Sequence, residues 1–279
     1  MTAPAATAYE FRPRGSLETL AWPAFDRFPV DVMVTTRNGG VSSGAYAELN
    51  LGLHVGDEPA DVLENRRRAA KAMGADPGDF VFCNQAHGRE VRIVAAADRG
   101  RGAWSLDDAI GNADALVTTD PGTVLVVMVA DCVPVVLYDP AAHVLASVHA
   151  GWRGTVARVA DAALEAMATL GARPENVIAG LGPAISPDGY QVGDEVAGAA
   201  RESFGADAES VIRPDGTGKW LFDLWAANLV ILGQAGVARE RTHVAGIPTG
   251  AEPGLFFSDR AARPCGRFAA IAKLRPRSG

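Results

Sequence analysis

The chain has 279 residues, 48% of them apolar and 21% charged, enough for a sizeable core in one large domain or two small ones. Its 26 basic and 33 acidic side chains leave a formal net charge of −7, which argues against a general nucleic-acid or anionic-membrane binder. No apolar run approaches the ~20 residues of a membrane helix, and the opening MTAPAATAYEFRPRGS lacks the basic-then-apolar pattern of a signal peptide. We therefore expect a cytoplasmic protein with a short flexible tail over 1–16. Three cysteines, Cys83, Cys132 and Cys265, are too few and odd in number for a disulfide framework, which leaves metal binding, catalysis or simple burial.

Val30–Thr35 is the first strand candidate, followed by a tight turn at Arg37-Asn38-Gly39-Gly40. Arg37 is either a solvated turn residue or a contact to a substrate anion or hydroxyl, because the loop Val41–Asn50 is long, polar and irregular. Asp57-Glu58-Pro59 starts a helix, with Asp57 as its cap, that runs to about Met73 and stops at Gly74. Arg66-Arg67-Arg68 reads as solvated helix surface, with Asn65 or Arg66 turned inward as the alternative. Phe80–Cys83 is a short strand that leads to Gln85 and His87, and Gly88 permits close approach behind the histidine. Val91–Ala95 and Ala113–Thr118 are further strands, separated by a polar loop over 98–112.

The central stretch holds two apolar runs, Val124–Ala130 and Val133–Tyr138, split by Asp131-Cys132. A turn at Asp139-Pro140 and a third run, Val144–Val148, bring the chain to His149. Val-rich runs of this length, closed by turn residues, read as buried strands. Thr155–Leu170 reads as one amphipathic helix closed by Gly171. Its start, with Arg153, is a candidate anion site. Val177–Leu181 is a strand, and Val192–Phe204 and Phe222–Gln234 are helices, the second capped by Asp223. Phe256–Arg260 and Phe268–Leu274 close the chain as strands. With no repeat, linker or composition break, 1–279 reads as a single domain.

Cys132 and His149 each sit at or near a strand end, and the Asp139-Pro140 turn can bring them to one pocket. His87 can complete three metal ligands. Two His and one Cys suit zinc and leave a fourth, open tetrahedral position, the mark of a catalytic site. Copper accepts the same ligands. Without metal, Cys132 is a nucleophile with His149 as its base, or a small buried strand residue.

Seven segments in order along the chain carry a resemblance. They are TTRNGGVSSG…NLGLHVGD at 35–57, NQAHG at 84–88, ADALVTTDPG at 113–122, VADCVPVVLYD at 129–139, HAGWRGT at 149–155, GPAI…YQVGDEV at 182–196 and FFSDR…GRFAAI at 256–271. With them the chain resembles the YfiH-like, or laccase-domain, family, also called multicopper polyphenol oxidases. The resemblance implies an α/β fold with a mixed β-sandwich core flanked by helices, related to cysteine hydrolases. It implies zinc on His87, Cys132 and His149. It also implies phosphorolysis of adenosine, inosine and methylthioadenosine, together with adenosine deamination. Some members are described as peptidoglycan editing factors, which makes an amide hydrolase using zinc or a Cys132–His149 dyad the alternative. A copper-dependent polyphenol oxidase is a further one, although five scattered histidines cannot build the several His-rich copper sites of a laccase. Many members have Tyr where Asp259 stands and Glu where Gln191 stands.

On this reading the partners are a nucleoside and phosphate, with no nucleic acid and no membrane, and the protein is a monomer. Catalysis falls to Asp131, Cys132 and His149, with Asp131 the candidate general acid or base. Arg37 and Arg153 are the candidates for phosphate, and Asn50 and Gln85 for hydrogen bonds to ribose or base.

Overall fold

The structure is a computed structural model that describes residues 8–277. In chain order its strands are β1 (Glu10–Arg14), β2 (Leu17–Ala21), β3 (Val30–Thr35), β4 (Phe80–Phe82), β5 (Val91–Ile93), β6 (Ala115–Thr118), β7 (Val124–Val129), β8 (Val133–Asp139), β9 (Val144–Ala150), β10 (Ile178–Leu181), β11 (Gln191–Val192), β12 (Ile212–Pro214), β13 (Trp220–Phe222), β14 (Thr242–Val244) and β15 (Phe268–Leu274). The α-helices are α1 (Pro59–Ala72), α2 (Trp152–Val156), α3 (Val159–Thr169), α4 (Asp194–Phe204), α5 (Ala208–Val211) and α6 (Leu224–Gln234). One sheet has the order β1-β2-β3-β15-β7-β4, a second β14-β10-β8-β9-β6-β5, and a small third sheet β11-β13-β12. Parallel pairs β4–β7, β5–β6 and β10–β14 sit among antiparallel ones, so both large sheets are mixed.

The Val-rich runs are continuous because both faces of their strands are covered. On β7, Val124, Val126 and Met128 pack with Ala69 and Ala70 of α1. The alternate residues Leu125, Val127 and Val129 pack between the sheets with Val136 and Tyr138 of β8 and Leu145 of β9. The remaining faces of β8 and β9, including Val135, Leu137, Ala146 and Val148, pack on Ala160, Ala163 and Met167 of α3 and Ile231 of α6. The layers therefore run helix, sheet, sheet, helices, with side chains alternating at every strand residue. This is the expected α/β fold with a mixed β-sandwich core flanked by helices. Each fully buried Val or Leu contributes roughly 1.5–3 kcal/mol to it. No helix among the described residues is long and apolar enough to cross a membrane.

Several local expectations need correction. Residues 10–14 are β1, paired antiparallel with β2, so the tail reading fails there, and residues 1–7 lie outside the described residues. Thr155–Leu170 is not one helix. Trp152 opens α2, and Arg158 in left-handed geometry (φ 64°) breaks it from α3. Asp57 does not cap α1. Glu58 holds that position without a side-chain bond, while the Asp57 carboxylate accepts from Ser42 Oγ at 2.7 Å and Asn50 Nδ2 at 2.9 Å. Phe256–Arg260 is loop rather than strand, because Phe256 N–H turns back to the Glu252 carbonyl. Asn65 and Arg66 both point inward and are buried. Arg66 donates to the carbonyls of Leu51, Gly102 and Ala103 and lies 4.0 Å over the Phe82 ring. Burial away from any acid lowers its guanidinium to about 9.

Candidate metal centre

β7 belongs to one large sheet and β8 to the other, and only Ala130-Asp131-Cys132 joins them. The chain makes this crossing with Asp131 at φ 87°, a left-handed conformation that turns it sharply between layers. Cys132 therefore stands at the mouth between the sheets. The β8–β9 hairpin then returns the chain so that His149 lies opposite Pro134. His87 follows β4 on a short loop, also left-handed at φ 59°. One ligand atom from each of His87, Cys132 and His149 lies within 4.8 Å of the others. The imidazole centroids are 4.7 Å apart and their planes 83° apart. His149 is buried, Cys132 half-buried and His87 exposed.

A Cβ at Gly151 would sit 2.9 Å from Cys132 Sγ and 3.2 Å from His87 Cδ2, so glycine there keeps the space beside the ligands clear. Gly154 is equally constrained, because a Cβ would meet the Gly88 carbonyl at 2.9 Å. The HAGWRG segment thus packs by its glycines against the other ligands.

Behind the cluster lies Asp114, fully buried. Its Oδ1 is 2.8 Å from His149 Nδ1 and accepts the His87 N–H at 2.9 Å, while Oδ2 accepts the Gly88 N–H at 2.6 Å. Burial opposes the charge on Asp114, but His149 and these N–H groups outweigh it and keep the carboxyl below its ordinary range. With Nδ1 engaged, His149 presents Nε2 to the cluster. Burial also opposes the thiolate of Cys132, but His149, with help from His87, overrides it and lowers the thiol. For His149 burial opposes the cation, and Cys132 and Asp114 together raise it. In the metal-free cluster, thiolate and imidazolium therefore hold each other in charged form. A deprotonated sulfur and two imidazoles, that of His149 backed by a carboxylate, are the donor set of a transition-metal site. Among the described residues no other group of His, Cys, Asp or Glu makes such a cluster.

The three residues form the floor of a cavity of about 540 Å³. Met128, Ile185 and Leu224 contribute apolar wall, and Tyr190, Arg153, Asp259, Arg260, Arg263 and Arg267 line it as well. Arg263 and Arg267 pair with Asp259, whereas Arg153 and Arg260 pair with no carboxylate among the described residues. Arg153 lies 4.3 Å over the Trp152 ring and Arg260 5.1 Å over Tyr190.

The expected substrate residues divide. Arg153 lines the cavity and is exposed. Gln85 lines it too, but its amide is spent on Met128, donating to the carbonyl at 2.7 Å and accepting the N–H at 2.8 Å. Asp131 lines it with both oxygens taken, by Thr249 Oγ1 at 2.5 Å and the Arg260 N–H at 2.7 Å, which makes it a tie between loops rather than a free acid or base. Arg37 and Asn50 lie outside the cavity. The Arg37 guanidinium binds the Ala47 and Pro253 carbonyls over the Phe257 ring. Asn50, fully buried, accepts from the N–H groups of Gly52 and Arg267. Asp114, Tyr190 and Arg260 are not among the site residues expected from the sequence. The available signal for Asp114 was an acid set against a buried apolar strand, which needs partners.

A two-sheet α/β sandwich with one His-Cys-His cluster under an arginine-lined cavity defines the class. The chain belongs to the family described as multi-copper polyphenol oxidoreductase laccase, which it matches over residues 31–275. It is 37% identical over 228 residues to a purine nucleoside phosphorylase YlmD of Geobacillus stearothermophilus, covering 81% of this chain and 83% of the relative. It is 39% identical over 208 residues to an adenosine deaminase RL5 from an unknown prokaryotic organism, covering 75% and 79%. The crystal structure of the hypothetical protein YfiH of Bacillus licheniformis superposes with a TM-score of 0.91 at 32% identity, over 95% of this chain and 99% of that one.

Proposed function

We propose that this protein is a zinc-dependent purine nucleoside phosphorylase acting on adenosine, inosine and methylthioadenosine, and that it also deaminates adenosine. The observation that carries this reading is the convergence of His87, Cys132 and His149 under a cavity with two arginines that pair with no carboxylate among the described residues. The names of the relatives support the substrate class. His87, Cys132 and His149 would hold the zinc, a thiolate-and-imidazole donor set that suits it. When bound there, zinc supplies Lewis acidity at the cavity floor.

The chain's own groups do the rest. Asp114 holds His149 in place through Nδ1. Arg153 and Arg260 bind phosphate, an anion that forked guanidinium donors match in shape and charge. The apolar wall of Met128, Ile185 and Leu224 takes the purine and excludes water around it. In phosphorolysis a phosphate oxygen bonds to ribose C1′ as the C1′–N9 bond breaks, and the purine leaves with the electron pair. Deamination needs water and no phosphate, so the two activities share the floor and differ in their use of the arginines.

The test is product analysis on the zinc-loaded protein with each nucleoside. Adenosine should give adenine and ribose 1-phosphate only when phosphate is present, and inosine and ammonia without it. No turnover of any of the three nucleosides would overturn the reading.

The lowered Cys132 thiol beside His149 favours one other reading, an amide hydrolase on a cell-wall precursor with Cys132 as nucleophile. That chemistry has no use for His87. An active His87→Ala variant on muropeptide precursors, insensitive to chelation, would establish it.

A further inference from the structure

We propose that Asp114 is the positioning residue that assembles the metal centre, setting both the ring nitrogen that His149 offers and the backbone turn that carries His87. The inference rests on the reading that His87, Cys132 and His149 hold a metal.

Three sets of bonds meet at this residue. Its main chain ties both flanks of the His87 loop to β6: the Asp114 N–H donates to the Glu90 carbonyl at 2.8 Å, and the neighbouring Ala113 N–H donates to the Asn84 carbonyl at 3.1 Å. Its carboxylate ties the middle of that loop through the N–H groups of His87 and Gly88. Its carbonyl accepts the His149 N–H at 2.7 Å, while its Oδ1 faces His149 Nδ1 at 2.8 Å. The β6–β9 register, Ala115 opposite Val148, places Asp114 where it can do this.

His87 occupies left-handed geometry (φ 59°), which a non-glycine residue keeps only when its surroundings hold it there. Two consecutive N–H groups aimed at one carboxylate supply that hold. A neutral amide at 114 cannot replace it. With its oxygen at the Oδ1 position, an asparagine would point its NH₂ at the Gly88 N–H, donor against donor. The bonds of Oδ1 to His149 and to the His87 N–H would survive, while the Gly88 N–H, the other half of the clamp on the turn, would lose its acceptor. An alanine would release both histidines.

The experiment measures zinc affinity by chelator competition, with circular dichroism and thermal unfolding of each metal-free variant alongside. Loss of an outer partner of a metal ligand costs about 10–100-fold in affinity. Asp114→Asn should bind zinc about 10-fold more weakly than the unsubstituted protein, and Asp114→Ala about 100-fold more weakly. A second arm needs no variant: in the unsubstituted zinc-loaded protein, ¹⁵N NMR should show the His149 proton on Nδ1, as a slowly exchanging downfield N–H. This arm decides the matter if the variants fail to fold. Zinc on Nδ1, with the proton on Nε2, would overturn the proposal. So would an Asp114→Ala protein that folds and binds zinc within twofold of the unsubstituted chain. Failure of the unsubstituted protein to bind zinc or copper at the cluster would instead remove the metal reading itself, and this inference with it.

Discussion

At the floor of the cavity Asp114 and His149 are buried, and every polar atom of the Asp114 side chain is bound within 2.9 Å. At the mouth Arg153, Arg260 and Arg263 are exposed, and they rest on aromatic rings or form pairs open to solvent. The two regions obey different electrostatics. Buried bonds lie in a low dielectric, so removing one partner strands the other at full cost. Charges at the mouth are screened, and a lost pair there costs little. The floor can therefore fix the geometry of a reactive centre, while the mouth attracts an anion without gripping its own side chains.

The sharpest break between the regions comes from the ligands. A Cys132→Ala, His149→Ala double variant should lose stoichiometric zinc, and turnover should fall at least about a thousandfold, the several kcal/mol a bound metal contributes. His87→Ala should lose nearly as much. Elemental analysis and nucleoside assays check both, and zinc retained by the double variant would contradict the site.

Alkylation tests the floor's charge. In the metal-free protein the Cys132 thiol is lowered to about 6, because His149 outweighs the opposing effect of burial. The thiolate is therefore present above that pH and lost below it. Iodoacetamide should modify metal-free Cys132 with a rate that rises with pH through about 6. Near neutral pH, zinc-bound Cys132 should react roughly a hundredfold more slowly, its thiolate being committed to the metal. Equal rates in both forms, with full activity after stripping, would make Cys132 the nucleophile.

Neighbours on one helix extend the contrast to stability. Arg66→Ala leaves three buried carbonyls without a donor and should cost about 3 kcal/mol in urea unfolding. Arg67→Ala removes only a surface pair with Glu64 and should stay within about 0.5 kcal/mol. At the mouth, Arg153→Ala or Arg260→Ala should raise the phosphate KM about tenfold, the loss of one charge-assisted contact, with phosphate-free deamination nearly unchanged. Equal loss of both activities would make these arginines structural. The smallest effect belongs to Asp259→Ala. It removes the carboxylate partner of Arg263 and Arg267 and should lower the phosphate KM about twofold in low salt, fading as salt rises.

Much of this was legible in the chain. The Val-rich runs announced strands buried on both faces, and β7, β8 and β9 are such strands. Asp223 caps α6 as expected, accepting the Ala226 N–H at 2.9 Å. His87, Cys132 and His149 were visible as chemistry-bearing residues at strand ends, and they do converge. Arg37, in the turn before the irregular loop 41–50, and Asn50, at its end, read as candidate substrate contacts. Their bonds go instead to the backbone of that loop and of others that pack on it. Composition does not distinguish a loop that binds a ligand from one that binds itself.

The sequence by itself determined the period of the long apolar elements, the faces they must bury and the residue types able to hold a metal. These follow from local sterics and hydrophobicity, which act over a few residues. Tertiary structure decided that β7 and β8 part into different sheets at Asp131-Cys132, that Arg66 turns in while Arg67 faces out, and that Asp114 meets both histidines. Those outcomes depend on sheet order and strand register, and register sums many weak contacts between residues far apart in the chain. No single position carries that sum, so the assembly of the floor became readable only once the strands were paired.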